Sequence, residues 1–285
     1  MSSAQLHYNA RPNTDRAARS LSPILSLKSF NNWVKSVLIN RYTPPSASAC
    51  GKGGDLNKWA KQDVRLLFGV DIADVSIQHA NDRYSSGRFR FTATLLQLDV
   101  FSNPLNTVLP DPNYTFDLVS CQFALHYSFE TEAKARMALR NATCRLKRGG
   151  CFIGTIPNAW RIVKNLQIRG RRFGNAVYTV DFEDGPETPE FGHKYTFRLT
   201  DAIDDCPEYV INMDTLTRLA REFGLKRVMY TGFHEFYEQE ITGAGMDSPS
   251  RDLFNRMRVL DQEGTISEDQ WEAIGVYSCF CFQKM

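Results

Sequence analysis

Between residues 26 and 42 the chain reads SLKSFNNWVKSVLINRY, with Phe30, Trp33, Val34, Val37, Leu38 and Ile39 recurring at three- and four-residue intervals. That period predicts an amphipathic helix, which the Thr-Pro-Pro run at 43–45 stops. Alternation follows. CGKGG at 50–54 leads into a helix from about Asp55, RLLFGVDIAD (65–74) reads as a strand ending in acid, and DVSIQHANDRYSS (74–86) reads as a helix. FTATLLQLDV (91–100) is a second strand ending in acid, NYTFDLVSCQFALHYSF (113–129) a strand with its loop, ETEAKARMALRNATCRL (130–146) a helix, and KRGGCFIGTIPN (147–158) a turn and a strand. Strands alternating with helices predict an α/β fold built on a doubly wound, largely parallel sheet, with ligands beyond the carboxyl ends of the strands.

The rhythm changes after Asn158. Residues 159–212 predict a helix and then antiparallel strands with charged turns, a small inserted lobe suited to substrate. MDTLTRLAREFGLKRVMYTGFHEFYEQE (213–240) returns as helix plus strand, and WEAIGVYSCFCFQKM (271–285) reads as a closing strand. Residues 1–25 are polar and mixed in charge and read as a flexible lead-in to a domain over 26–285.

Composition narrows the function. A net charge of +2 over 285 residues disfavours a nonspecific nucleic-acid coat and leaves room for a local anion pocket. Seven cysteines without zinc or redox spacing favour a reducing compartment, with Cys279 and Cys281 as buried strand thiols and no metal. No apolar run approaches roughly 18 residues, so neither secretion nor membrane spanning is indicated, and the cytosol or nucleus is expected.

The glycine cluster is the candidate for chemistry. A nucleoside-triphosphatase loop needs Ser or Thr after its lysine, whereas Lys52 is followed by Gly53; the dinucleotide fingerprint needs glycine where Leu56 stands. A shorter G-x-G-G loop survives, with Asp71 twenty residues after Gly51, where a carboxylate can accept from two ribose hydroxyls. Asp99, one strand further on, is placed to accept from an adenine amino group. Each acid alone is more commonly a cap or a loop residue. In this order they point to S-adenosylmethionine.

FNNWVKS (30–36), CGKGGDLNKW (50–59), DIADVSI (71–77), SCQFALHYSFE (120–130) and GGCFIGTIPN (149–158) together closely resemble the eukaryotic mRNA cap guanine-N7 methyltransferases, from about Ser26 onward. The resemblance implies a Rossmann-like methyltransferase fold. It also implies methyl transfer from S-adenosylmethionine to N7 of the terminal guanine of a GpppN cap, in the nucleus, beside RNA polymerase II and the capping apparatus, with neither DNA nor membrane as partner. For the cofactor it nominates Lys35, Ala49, Asp71, Asp99, Gln122 and Tyr127. For the cap it nominates Asn31, Asn32, Lys52, Lys58, Arg83, His126, Glu208 and Tyr277. Outside these motifs, Lys35, Lys58 and Arg83 would read as solvated helix faces, His126 as a structural histidine and Tyr127 as core or rim. Guanine N7 carries a free lone pair and loses no proton, so no catalytic residue in the acid–base sense is expected; the work is positioning.

One segment departs from the family. Where its members carry an apolar central strand with an acid and then a glycine, this chain has SASA at 46–49, with alanine at both Ala47 and Ala49. This first central strand is degenerate, it forfeits several large side chains, and a methyl at Ala49 would meet the cofactor if that position required positive φ. A noncatalytic cap-binding or scaffolding protein is the alternative this raises.

Overall fold

The computed structural model describes residues 5, 9, 21–51, 53–185, 187, 189–243 and 248–285; Lys52 and most of the lead-in over 1–25 lie outside them. Helix α1 (Leu25–Tyr42) buries Leu27, Phe30, Trp33, Val34, Val37, Leu38 and Ile39, the stripe its periodicity predicts. Strand β1 (Ser48–Gly51) follows, then a single 3₁₀ turn (Gly53–Asp55), α2 (Leu56–Lys61), β2 (Leu66–Asp71), α3 (Asp74–Ser86) and β3 (Thr92–Gln97). Next come β4 (Phe116–Gln122), a 3₁₀ stretch (Leu125–Glu130), α4 (Glu132–Thr143) and β5 (Leu146–Pro157).

After α5 (Ala159–Arg169) the chain forms four short strands, β6 (Arg172–Gly174), β7 (Tyr178–Phe182), β8 (Lys194–Leu199) and β9 (Ile203–Tyr209), antiparallel throughout and in sequential order. Alternation sets which face is buried: Tyr178, Val180 and Phe182 on β7, and Tyr195, Phe197 and Leu199 on β8. α6 (Met213–Glu222), β10 (Leu225–Gly232), α7 (Phe233–Tyr237), α8 (Pro249–Arg256), α9 (Glu268–Ile274) and β11 (Tyr277–Lys284) complete the chain. Trp271–Ile274, expected in the closing strand, belong instead to α9, where Ser267 caps the helix by accepting from the Gln270 amide.

The main sheet has seven strands in the order β10-β11-β5-β4-β1-β2-β3. β11 pairs antiparallel with both β5 and β10; the other pairings are parallel. From β1 the chain winds outward through β2 to β3, and then returns to β4 on the other side of β1. This is the switch point at which ligands bind in such sheets.

β1 is central although it carries no large side chain. Ser48 through Gly51 are all buried and pair through the backbone with Leu66–Gly69 on one side; Ala49 and Cys50 pair with Leu118 and Val119 on the other. Two further contacts fix the register: the Ser48 amide donates to the Asp117 carboxylate (2.9 Å), and the Arg65 amide donates to the Ala47 carbonyl (2.8 Å). The feared collision at Ala49 is absent, because Ala49 lies in regular extended strand, outside the left-handed region. Ser46, before the strand, takes the positive φ (55°).

Aromatic packing fixes the position of α1. Phe30 and Trp33 meet Phe233, Phe236, Tyr237, Phe254 and Trp271 at ring-centroid distances of 5.2 to 6.4 Å, and the Trp33 indole donates to the Ser250 carbonyl (2.9 Å). With Phe30 and Trp33 locked inward, Asn31 and Asn32 occupy the positions between them and Lys35 stands two residues beyond Trp33.

Candidate active site

A cavity of about 630 Å³ opens at the carboxyl ends of β1, β2 and β4. Its walls include Lys35 from α1, Gly51, Gly54 and Asp55 from the glycine turn, Asp71 after β2, Asp99 after β3, and Gln122 and Tyr127 after β4. Ile72, Val100, Phe101 and Leu125 supply an apolar strip. At Gly51 the backbone passes so close to β4 that an added Cβ would lie 3.1 Å from the Ser120 carbonyl oxygen and 3.6 Å from the Trp59 ring.

Each predicted cofactor residue has a distinct environment. Asp71 is buried and accepts from the Ala73 amide (2.9 Å), which orients its carboxylate at the strand end. Asp99 folds back on its own turn, accepting from the Phe101 amide (3.0 Å) and the Ser102 hydroxyl (2.6 Å), while still bordering the cavity. Gln122 is held at both ends: its amide donates to Ser120 Oγ (2.9 Å) and its carbonyl accepts from Thr155 Oγ1 (3.0 Å). Phe123 next to it adopts φ of 53°, unusual for an aromatic residue, and its amide donates to the Thr155 carbonyl (2.9 Å). Tyr127 lies against His126, with ring centroids 4.2 Å apart. Ala49 is the exception. Its side chain is buried in the core cluster with Leu67 and Leu118 on the face opposite to Cys50, and it is Cys50 that borders the cavity.

The sequence reading overlooked Asp55. This buried carboxylate accepts from Lys35 Nζ (2.9 Å) and Lys58 Nζ (2.7 Å), and Lys58 also donates to Asn32 Oδ1 (3.1 Å). Burial alone would raise its pKa, but the Lys35 and then the Lys58 ammonium outweigh that and hold the carboxyl down at about 2. Two cations thus share one anion. Burial and the repulsion of Lys35 press Lys58 below the ordinary lysine value despite the pull of Asp55, so an incoming anion would relieve it. The i, i+3 spacing of Asp55 and Lys58 was visible in the sequence; the approach of Lys35 was not.

A second cluster lies behind the cavity wall formed by Tyr127, Pro207 and Tyr209 and does not itself line the cavity. Glu208 on β9 is buried, with Pro207 and Tyr209 beside it lining the cavity. One oxygen accepts from the Tyr195 hydroxyl (2.8 Å); the other lies 3.3 Å from His126 Nε2. Burial, and then the Glu208 charge, push Tyr195 well above its ordinary pKa, so it remains a donor. Among the described residues, neither His126 nitrogen has an aligned hydrogen-bond partner, and neither does the buried Asn31 Oδ1. Buried polar atoms in this state suit a polar ligand. Tyr277 at the start of β11 sits edge-on to Phe123 at 5.1 Å, and Phe123 borders the cavity. Arg83 is exposed on α3 and does not border the cavity.

Solved structures share this architecture at low sequence identity. The CcbJ methyltransferase from Streptomyces caelestis matches with a TM-score of 0.54 and 11% identity over 99% of this chain and 96% of its own. A S-adenosylmethionine-dependent methyltransferase from Clostridium acetobutylicum matches at 0.51 and 12%, over 90% and 92%. These likenesses concern the fold. Sequence relatives are nearer: mRNA cap guanine-N(7) methyltransferases from Cryptococcus neoformans and Schizosaccharomyces pombe are 43% and 39% identical, each over 98% of this chain. The chain spans 47% of the length of the former, about half, and 81% of the latter. A family model described as the mRNA (guanine-N(7))-methyltransferase domain matches residues 2–285. With that match running along almost the whole sequence, the chain belongs to the mRNA (guanine-N(7))-methyltransferase family.

Proposed function

We propose that the protein moves a methyl group from S-adenosylmethionine to N7 of the terminal guanine of a GpppN-capped transcript. The observation that carries this reading is a cavity with cofactor-type groups along it, one part of whose wall, Tyr127, Pro207 and Tyr209, adjoins the buried Glu208–His126 pair. The alternative of a noncatalytic scaffold finds no support, since β1 pairs on both sides and Ala49 keeps its methyl in the core.

The residues suit the cofactor. Lys35 is an ammonium for its carboxylate, Asp71 an acceptor for its ribose diol, and Asp99 with the apolar strip a place for its adenine. Bound there, the cofactor supplies an electrophilic methyl on a cationic sulfur. Gln122 orients it through an amide already pinned by Ser120 and Thr155, and Tyr127 walls the space between the two ligands. On the cap side, Glu208 accepts from the N1–H and N2–H₂ donors of guanine and fixes which edge of the base faces inward. His126 and Tyr277 bracket the base, and Asn31 and Asn32 offer polar contacts. Lys58, with Lys52 and Arg83, attracts the triphosphate bridge. Residues 159–212 act as the substrate lobe that delivers Glu208.

No group needs to take a proton, because the attacking nitrogen has none to lose. Orientation of two reactants at near-contact distance supplies on the order of 7–11 kcal/mol. The cellular reading follows from the same reaction: capped pre-mRNA in the nucleus, alongside RNA polymerase II and the capping apparatus.

The test is transfer of labelled methyl from S-adenosylmethionine to GpppG, followed by nuclease digestion. Label in 7-methylguanosine is expected. Label at ribose or at another guanine position, or none, contradicts the reading.

A further inference from the structure

We propose that the exposed face of α5 binds single-stranded RNA, the stretch of transcript that follows the cap. The inference rests on the proposed function for its orientation and on α5 itself for its chemistry. Ile162 and Leu166 turn one face of the helix into the core. The opposite face carries Trp160, Lys164 and Ile168 at i, i+4 and i+8, one above another on successive turns. Trp160 is 67% exposed and Ile168 70%, and these are the two most exposed large apolar side chains of any helix among the described residues. The Lys164 ammonium stands over the indole, 4.6 Å from the ring centroid.

The charge along this segment of chain has one sign. Residues 159–172 contain Arg161, Lys164, Arg169, Arg171 and Arg172 and no Asp or Glu, in a protein whose net charge is only +2. Neighbouring elements offset part of it: Glu272 pairs with Arg169 (2.6 Å), Asp181 lies 3.4 Å from Arg172, and Arg171 donates to the Glu183 carbonyl (3.3 Å). Lys164 has no ion pair among the described residues. One aromatic ring, one aliphatic side chain and an unpaired cation are too small an apolar patch for a stable protein interface. They are the elements of a sequence-tolerant RNA platform, on which a base stacks on the ring and a phosphate meets the ammonium.

The location fits. Helix α5 starts directly after β5, and its N-cap residue Asn158 donates its amide to the Val276 carbonyl (2.7 Å). Tyr277, the next residue, pairs with Pro157. Thus the stripe begins at the cap-side rim and runs about 12 Å outward from Trp160 to Ile168.

Binding of an uncapped, fluorescent RNA of about 12 nucleotides, measured by anisotropy at several salt concentrations, tests this without relying on catalysis. Both side chains are exposed, so their variants fold. Trp160→Ala should weaken binding about five- to twentyfold, with Trp160→Phe within about threefold of wild type. Lys164→Ala should lower the salt slope by about one. Unchanged affinity in Trp160→Ala, equal loss in Trp160→Phe, or no RNA binding by the wild type overturns the proposal. Failure of the methyl-transfer reading would appear instead as absence of 7-methylguanosine from GpppG, whatever the RNA result.

Discussion

Asp55 is the residue on which the electrostatics of the site turn. Lying between Lys35, which lines the cavity with it, and Lys58, which does not, it holds both ammonium groups, and its side chain is only 5% exposed. Holding its carboxyl at about 2 against an ordinary 3.8 contributes about 2 kcal/mol to folding. A carboxylate with a depressed folded pKa stabilises above its unfolded value, so this contribution is complete above about pH 4 and is lost as pH falls toward 2. Asp55→Asn leaves two lysines facing each other without a counter-ion and should cost about 3 kcal/mol. In denaturant melts the gap between wild type and variant should be widest near neutrality and close toward pH 2; a gap independent of pH would contradict this role. Glu208→Gln tests the guanine end. An amide oxygen still accepts from Tyr195, but the amide is a weaker acceptor for two guanine donors. The specificity constant for GpppG should fall about 100-fold, about 3 kcal/mol, with S-adenosylhomocysteine affinity unchanged. Equal loss of affinity for both ligands would place Glu208 in a structural role instead.

At the scale of elements, the longer helices α1, α3, α4 and α6 and most strands were legible because burial enforces periodicity, whereas the short helices α7, α8 and α9 were not. α1 and α3 follow their apolar spacing almost to the residue. β1 was not legible by that route, since Ser48, Ala49, Cys50 and Gly51 form a strand through backbone pairing with β2 and β4 rather than through large side chains. Ala49 and Gly51 share one face of β1 but differ in position along it, and they make opposite predictions, since Gly51 borders the cavity and Ala49 does not. Ala49→Gly removes a core methyl and frees the backbone, so it should cost about 1 kcal/mol and leave S-adenosylhomocysteine affinity within about twofold. Gly51→Ala drives a methyl toward the Ser120 carbonyl and should weaken that affinity at least tenfold, on the order of 1.4 kcal/mol or more. Calorimetric titration of the two variants separates these outcomes, and equal effects would contradict the placing of Gly51, and not Ala49, at the cavity.

For the whole molecule, the alternation of strands with helices and the motif positions were readable from sequence, whereas the order of strands in the sheet and the meeting of distant parts were not. Glu208 comes to His126 through the pairing of β8 with β9, and α1 comes to the glycine turn because aromatic residues from 233–271 hold Phe30 and Trp33. Such contacts join residues up to 241 positions apart, beyond the reach of local pattern. They build one cavity from two sheets and the first helix. The central claim is that this cavity holds both reactants in line. A crystal structure with S-adenosylhomocysteine and GpppG together tests it most directly. Sulfur on the Lys35–Gln122 side, with guanine N7 facing it so that a transferred methyl would lie within about 3.5 Å of N7, is the expected result. Guanine bound away from Glu208, or N7 turned from the sulfur, would contradict the account.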